Sequence, residues 1–287
     1  MLLELFSAYG IRATWATVGF VFFGAKGELL EHLPEERPRY ENPRLSPYGE
    51  LETLGPDEAS DPFHYGRSLV QKIAMHPEQE IASHTFSHYY CLEPGQDAAA
   101  FEADLAAALQ TANDAGVKIS TLVFPRNQVN PEYLALCRRN RITAYRGTER
   151  SVIYASRRQS RDTRLFRALR LVDAYLPVAG STSFHPARPN PGMPLNVPSS
   201  RFLRPYDPRL RHLDSARLKR IVADMSRAAR EGAVYHMWWH PHNFGRHTDE
   251  NLAFLTRILD HFAQLRASDG MQSMSIRELT QAIEAGA

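Results

Sequence analysis

Two histidines four residues apart follow a short predicted strand. Residues 80–82 are typical of a strand, and His84 and His88 come directly after it in the run Ser-His-Thr-Phe-Ser-His. On a helical turn this spacing points both side chains the same way, and imidazole is a common ligand of zinc and neighbouring metals. Because α/β sheets bind ligands at the carboxyl ends of their strands, the position favours a metal site over two unrelated polar residues in a loop.

A second polar group follows the strand predicted over residues 119–124. Here Arg126, Asn127 and Gln128 come after Pro125. An arginine and two amides could orient a carboxylate, phosphate or carbonyl group. Taken alone, the segment is better explained as a polar loop that leads into the helix start at residues 130–132.

A third group lies on an aromatic strand predicted over residues 233–239. His236, Trp238 and His240 share one face of a strand with period two, and His242 follows. A histidine beside tryptophans suits a general acid over a sugar ring, because its unperturbed pKa is about 6.5. A buried aromatic strand with a hydrogen-bonded histidine is the competing interpretation, and the two are about equally favoured.

Helical and strand-like segments alternate along the chain, which predicts an α/β fold with a mostly parallel sheet. We expect one domain over residues 1–287. The sequence predicts a long loop at 33–62, which is dense in proline and charge. Residues 151–212 contain one predicted helix and a proline-rich stretch, and we expect them to form an insertion over one rim of the domain.

Composition excludes several classes of partner. With 34 basic and 32 acidic residues, the charge balance gives no reason to expect nucleic acid as a partner. The two cysteines lack metal-type spacing, so a reducing cytoplasm is the expected location. No apolar run approaches the roughly 20 residues of a membrane span. The arginine-rich stretch 138–170 could contact a pyrophosphate, although a solvated face is favoured; the sequence gives no indication of oligomeric state.

In their order along the chain, the three groups resemble the polysaccharide deacetylase family (NodB homology, carbohydrate esterase family 4). The matching segments, which span nearly the whole chain, read LLELFSAYGIRATWATVG, EIASHTFSH, FPRNQ, MWWHPHNFG and MQSMSIREL. The second segment is the most specific, since it matches the family's HxxxH metal motif with its preceding strand. The resemblance implies a distorted (β/α) barrel, and the FPRNQ and WWHPHNF variants look like members found with bacterial surface-polysaccharide biosynthesis.

By this resemblance the protein removes an N-acetyl group from a sugar or glycan with the help of a divalent metal. His84 and His88 would bind the metal together with an aspartate; zinc is the first candidate, and cobalt, iron and manganese also suit such ligands. By position, His240 would protonate the departing amine, with His242 as the second candidate, and Arg126 would orient the catalytic base. Residues expected to contact the carbohydrate are Tyr89, Tyr90, Asn127, Trp238 and Trp239.

The family's two catalytic aspartates lie on a first strand that precedes the opening helix, whereas this chain begins within that helix. We therefore expect the third metal ligand and the base upstream of Met1, with truncation favoured over a degenerate homologue. The chain as it stands should bind metal weakly and show little activity. Other interpretations are a metal-independent cyclic-amide hydrolase of the same fold, a non-catalytic carbohydrate-binding homologue, and a generic α/β domain with scattered histidines.

Overall fold

A parallel sheet of five strands forms the centre of the fold in the computed structural model, which describes residues 1–286. Each strand pairs with the one before it in the chain, so the spatial order is β1-β2-β3-β4-β5. Their bounds are Thr14–Thr17, Glu80–Ser83, Thr121–Val123, Ala144–Gly147 and Leu195–Pro198. The predicted α/β class with a parallel sheet is confirmed, and the carboxyl ends of these strands meet at one edge.

Helices connect and cover the strands. The opening helix ends at Gly10 as the sequence predicts, and the capping box of Ser275 and Glu278 begins the last helix. Within residues 1–286, no helix combines the length and the apolar character needed to cross a bilayer. The helices α1 to α9 are Leu2–Tyr9, Lys26–Glu31, Arg67–Ala74, Ala98–Asp114, Leu134–Arg139, Arg164–Asp173, Asp214–Glu231, Thr248–Asp269 and Ile276–Ala285.

Burial on both faces explains why the residues of β2 and β3 form strands. All residues of β2 and β3 are buried, as expected for parallel strands that are covered on both faces. On one side, Phe101 and Leu105 of α4 pack against Leu122 and Phe124. On another, α1, α7 and α8 form a second apolar cluster around Phe6. Together these clusters fix the strand ends from which the candidate site residues project.

The aromatic strand is shorter than the sequence predicts. Only Met237–Trp238 form a strand, β7, which pairs in parallel with β6 at Arg201–Phe202. Upstream, the carbonyl of His236 accepts hydrogen bonds from two successive backbone amides, Ser200 and Arg201. This two-to-one pairing interrupts the ladder as a bulge does, so the prediction of a continuous strand over 233–239 is wrong.

Residues 151–212 are more than an insertion over the rim. They supply β5 to the central sheet and β6 to the small sheet. β5 was not predicted, because it lies in a proline-rich stretch and ends at Pro198. As an edge strand it tolerates this residue, since proline is excluded mainly from central strands.

Closure of a barrel is not observed among residues 1–286. β1 pairs only with β2, and β7 pairs only with β6. The ring centroid of Phe6 lies 6.0 Å from that of Trp15 and 6.0 Å from that of Trp239, so α1 packs against both β1 and the residue after β7.

Gly19 offers a test of how β1 is joined to the histidine loop. A methyl group at Gly19 would lie 2.8 Å from the Cα of Phe86, while the Gly19 amide donates to the carbonyl of Thr85. We expect Gly19→Ala to lower the free energy of unfolding by about 1–3 kcal/mol through overpacking, measured by urea denaturation. The matched control is Gly27→Ala in α2, where nothing lies within 4 Å; it should leave stability unchanged or raise it by about 0.5–1 kcal/mol. Equal stability of the two variants would contradict this packing.

Candidate active site

The loop after β2 brings His84 and His88 together, with ring centroids 4.8 Å apart. Nδ1 of His84 lies 2.7 Å from the carbonyl oxygen of Val123. A carbonyl can only accept, so Nδ1 carries the proton and Nε2 of His84 keeps its lone pair. Nδ1 of His88 is 3.0 Å from the hydroxyl of Tyr90. His84 is therefore held as histidines are that bind a metal through Nε2. The Tyr90 hydroxyl can donate to Nδ1 of His88 or accept from it, so that contact orients the ring without fixing its tautomer.

A buried carboxylate holds this loop in place. Asp104 in α4 is fully buried and accepts hydrogen bonds from the backbone amides of Phe86, at 2.7 Å, and Ser87, at 3.1 Å, and from the Ser87 hydroxyl. The side-chain oxygen of Thr85 accepts from the amide of Tyr89. These bonds fix the turn between the two histidines, so an aspartate outside the motif determines where the motif points.

Backbone strain is concentrated at the same place. Of the six non-glycine residues with positive φ among residues 1–286, four lie in the two loops of the candidate site, namely Thr85, His88, Arg126 and Asn127. Left-handed backbone is unfavourable for residues with a Cβ. Clusters of this kind are found at functional sites, where the surrounding contacts maintain the conformation.

The electrostatic environment keeps both histidines neutral. Burial lowers the pKa of His84 well below its usual value, and the nearby charges of His88 and Arg146 add to this effect. Burial also lowers the pKa of His88 to about 4, with contributions from Arg126 and His240. Neutral imidazole is the form that binds a metal, so the pair is ready to act as ligands at neutral pH.

Arg126 and Asn127 follow β3 and border the same space. The guanidinium of Arg126 lies 4.3 Å from the ring centroid of Tyr90 and donates to the side chain of Gln159. Asn127 accepts a hydrogen bond of 2.5 Å from Arg146. The loop therefore joins the histidine pair to the end of β4.

Trp238 and His240 face this space from the end of β7. The indole nitrogen of Trp238 donates to Glu149 at 3.0 Å, and the guanidinium of Arg146 lies 4.1 Å from the centroid of its ring. The His240 ring is 5.5 Å from Trp238 and stacks on His242 at 5.2 Å. Partial burial lowers the pKa of His240, followed by the charges of His242 and Arg146.

One groove contains the histidine pair and its partners from the other strand ends. It is lined by His84, His88, Arg126, Asn127, Trp238, His240 and His242 among others. The effects of His240 on the pKa values of both His84 and His88 are consistent with their proximity. The three groups found in the sequence therefore lie on the same side of the molecule.

Two residues expected to contact carbohydrate are buried. Tyr89 is fully buried, and its hydroxyl bonds to the Gln96 side chain and the Asp97 carbonyl, so its assignment is corrected. Tyr90 is also buried and lies against His88 and Arg126. Trp239 is half-buried, stacks on Phe244 at 5.5 Å and lines the groove together with Trp238.

Sequence reasoning missed two residues at the centre of the site, Arg146 and Glu149. Arg146 lies in β4 between the histidines, Asn127 and Trp238; burial lowers its pKa to about 10, opposed by the charge of Glu149. Glu149 is buried beneath Trp238. A charged residue at the end of a predicted strand was the available signal for Arg146. Nothing in the sequence distinguished Glu149 from other loop acids.

The described residues fit a metal ion only in part. His84 and His88 supply two oriented, neutral imidazoles. Among residues 1–286, no group of three or more histidine, cysteine, aspartate or glutamate side chains is arranged to hold a metal. Catalytic zinc sites use three protein ligands, of which the described residues would supply two.

Comparison with known proteins agrees with the fold. The chain is similar to the crystal structure of a "putative polysaccharide deacetylase" from Mycobacterium smegmatis, with a TM-score of 0.58 and 13% sequence identity, over 99% of this chain and 76% of that chain. No protein-family model and no curated protein sequence matches. At this identity the similarity establishes a shared fold.

The role of Asp104 is testable by substitution. Asp104→Ala leaves two buried backbone amides without acceptors, so we expect the free energy of unfolding to fall by about 2–4 kcal/mol. The control is Asp114→Ala at the exposed end of the same helix, which should change stability by less than about 0.5 kcal/mol. Urea denaturation measures both. Similar losses in the two variants would show that Asp104 does not anchor the loop.

Proposed function

We propose that the protein is a carbohydrate N-deacetylase, which hydrolyses the amide of an N-acetylated sugar with the help of a divalent metal, zinc in the first instance. The observation that carries the proposal is the adjacent pair of imidazoles of His84 and His88, which line one groove together with His240. The fold shared with the deacetylase structure supports it. We place the reaction in bacterial surface-polysaccharide biosynthesis, in the cytoplasm.

His84 and His88 would hold the cation, which in such hydrolases polarises the amide carbonyl and activates water. His240 is the proton donor to the departing amine, because it is exposed and lies beside Trp238 at the groove. His242, which is also exposed and stacks on His240, is the second candidate. Arg126 positions the catalytic base, and Asn127 and Trp238 form the wall against which the sugar lies, while Tyr90 packs against Arg126.

The third ligand is part of the proposal. We propose an aspartate on a strand that precedes α1 and pairs with the free edge of β1. Among residues 1–286, β1 pairs only with β2, so its other edge could pair with a further strand. Such a strand would end at the same edge of the sheet as β2 and would place its carboxylate beside His84.

A second candidate is a metal-independent cyclic-amide hydrolase of the same fold. It is favoured by one observation, the incomplete ligand set of residues 1–286. In that case the histidine pair would be dispensable for activity. A non-catalytic carbohydrate-binding homologue would instead bind glycan and release no acetate.

Zinc titration tests the histidine pair directly. Two imidazoles without a carboxylate should bind zinc weakly. We expect His84→Ala and His88→Ala each to reduce the affinity for zinc by more than about tenfold. Removing a residue that only orients a metal ligand already lowers metal affinity by about tenfold or more, and removing the ligand itself should cost more. His212→Ala, an exposed histidine away from the groove, is the control and should bind zinc like the unmodified chain. Isothermal titration calorimetry gives the affinities. Unchanged affinity in both variants would rule out the pair as ligands.

Acetate release distinguishes the three functions. The chain is incubated with N-acetylated sugars and zinc, and acetate is quantified with and without a chelator. We expect any release to be low, because the ligand set is incomplete, and to disappear on chelation and in His88→Ala. Release that persists under both conditions would show that this amide hydrolysis needs no metal, whereas the cyclic-amide candidate predicts chelator-insensitive ring opening of a cyclic amide and no acetate. Glycan binding without release supports the binding homologue, and rapid release at ordinary enzyme rates would contradict the need for a further ligand.

A further inference from the structure

A second cavity opens beside the candidate active site. Its volume is about 450 Å³, and it lies between the loop after β3, residues 154–174 and the small sheet. Four of its lining residues, Arg126, Asn127, Trp238 and His240, also line the groove that contains the histidine pair. A ligand in the cavity would therefore be in contact with the site where the proposed hydrolysis takes place.

The cavity is strongly cationic. Six arginines line it against one acidic residue, Asp162. The arginines are Arg126, Arg157, Arg167, Arg170, Arg201 and Arg204. Since the protein as a whole is nearly neutral, with a net charge of +2, this is a local concentration of positive charge.

Four of these guanidinium groups already have partners. Arg167 and Arg170 both pair with Asp162, at 3.3 and 2.7 Å. Arg201 is buried and paired with Asp173 and Asp224 behind the cavity wall. Arg157 donates to two backbone carbonyls and lies over the ring of Phe166. These four residues build the wall, and each already has a partner within the protein, although Arg167 contacts Asp162 through Nε alone.

Arg204 and Arg126 differ from these four arginines in their hydrogen-bond partners. Within residues 1–286, the Arg204 side chain makes no hydrogen bond and no ion pair, although it is half-buried in the cavity wall. Burial is the main cause that lowers its pKa, and the charge of Arg170 adds to it. Arg126 has an amide partner in Gln159 but no carboxylate. Keeping an unpaired guanidinium partly out of water is costly, and a bound anion would offset this cost.

We propose that this cavity binds the phosphate or diphosphate group that links the acetylated sugar to its carrier, with Arg204 and Arg126 as the principal donors. Guanidinium groups match phosphate oxygens in a bidentate geometry. The volume lies within the range of about 300–1,000 Å³ that is typical of small-ligand pockets. The assignment of the sugar to the adjoining groove rests on the proposed deacetylation; the anion site itself does not.

The chemistry of the cavity separates substrate classes. A neutral polymer of acetylated sugars has no group that would use Arg204. A monosaccharide carried on a phosphate or diphosphate places one anion in the cavity, and Trp238 and His240, which border both spaces, then lie beside its sugar ring. The substrate class is therefore a phosphate-linked N-acetyl sugar.

Binding of three probes tests this assignment. N-acetylglucosamine, N-acetylglucosamine 1-phosphate and UDP-N-acetylglucosamine are titrated into the full chain by calorimetry at one fixed ionic strength, with a chelator present so that metal plays no part. We expect the two phosphorylated probes to bind about tenfold or more tightly than the neutral sugar, the effect of one charge-assisted contact. Equal affinity for all three probes overturns the inference.

Substitution locates the site. Arg204→Gln should weaken the phosphorylated probes about tenfold and leave the neutral sugar unchanged, whereas Arg204→Lys, which retains the charge but loses the bidentate geometry, should weaken them less. Arg209→Gln is the matched control, because Arg209 is exposed and outside the cavity. Thermal denaturation checks that each variant is folded. An equal effect of Arg204→Gln and Arg209→Gln, or no effect of either, overturns the proposal.

Two further results identify the carrier and separate this inference from the proposed function. Displacement of bound UDP-N-acetylglucosamine by UDP but not by farnesyl diphosphate supports a nucleotide carrier, and the reverse supports a lipid carrier. If Arg204-dependent binding is found but acetate release never depends on the histidine pair, the deacetylase proposal fails and the anion site stands. If acetate is released equally from neutral and phosphorylated sugars, the anion site fails alone.

Discussion

The hydrogen bonds between Asp104 and the loop after β2 are the constraint on which the candidate site depends. Two opposing effects act on this carboxylate. Burial raises its pKa to about 6, while three hydrogen bonds from Phe86 and Ser87 favour the charged form. The burial effect is larger, so ionising this carboxylate costs free energy. The fold tolerates that cost because the charged form satisfies two buried amides in a strained turn, and the turn is what brings His84 next to His88.

The resulting site is rich in cations and poor in carboxylates. Arg126 and Arg146 lie close to the histidine pair, and they lower the pKa values of His88 and His84 respectively. The buried carboxylate of Glu149 already accepts a hydrogen bond from the indole nitrogen of Trp238. Surroundings of this kind favour an anionic ligand over a cation. They suit the proposed phosphate site directly, and the proposed metal would need an added carboxylate to bind tightly.

The sequence predicted the elements whose signals are local. Gly10, the capping box at Ser275 and the strand before His84 were all correct because each rests on a few neighbouring residues. Failures occurred where tertiary pairing decides the outcome. β5 is a strand because β4 pairs with it, and β7 is short because two amides share the carbonyl of His236.

Site residues, too, could be predicted only where the signal lies in neighbouring residues. The histidine pair could be found from its spacing, whereas Asp104 lies in an alanine-rich helix with no motif around it. The positive φ of His88 changes the direction of the chain just before Tyr89 and Tyr90, so the sequence could not show that both side chains are buried. Trp238 and Trp239, which were both expected to contact the carbohydrate, both line the groove.

Trp238 links the parts of the site. Its indole is held at the nitrogen by Glu149 and across its face by Arg146, and the ring forms a wall of both the histidine groove and the arginine cavity. A flat, fixed aromatic surface between a proton donor and an anion site favours a ligand with a sugar ring in the middle and a charge at one end. The orientation of that ring would be set by the anion, since a guanidinium–phosphate contact is directional and stacking on an indole is less so. Selection of the acetamide group next to His84 would then follow from binding the phosphate several ångströms away.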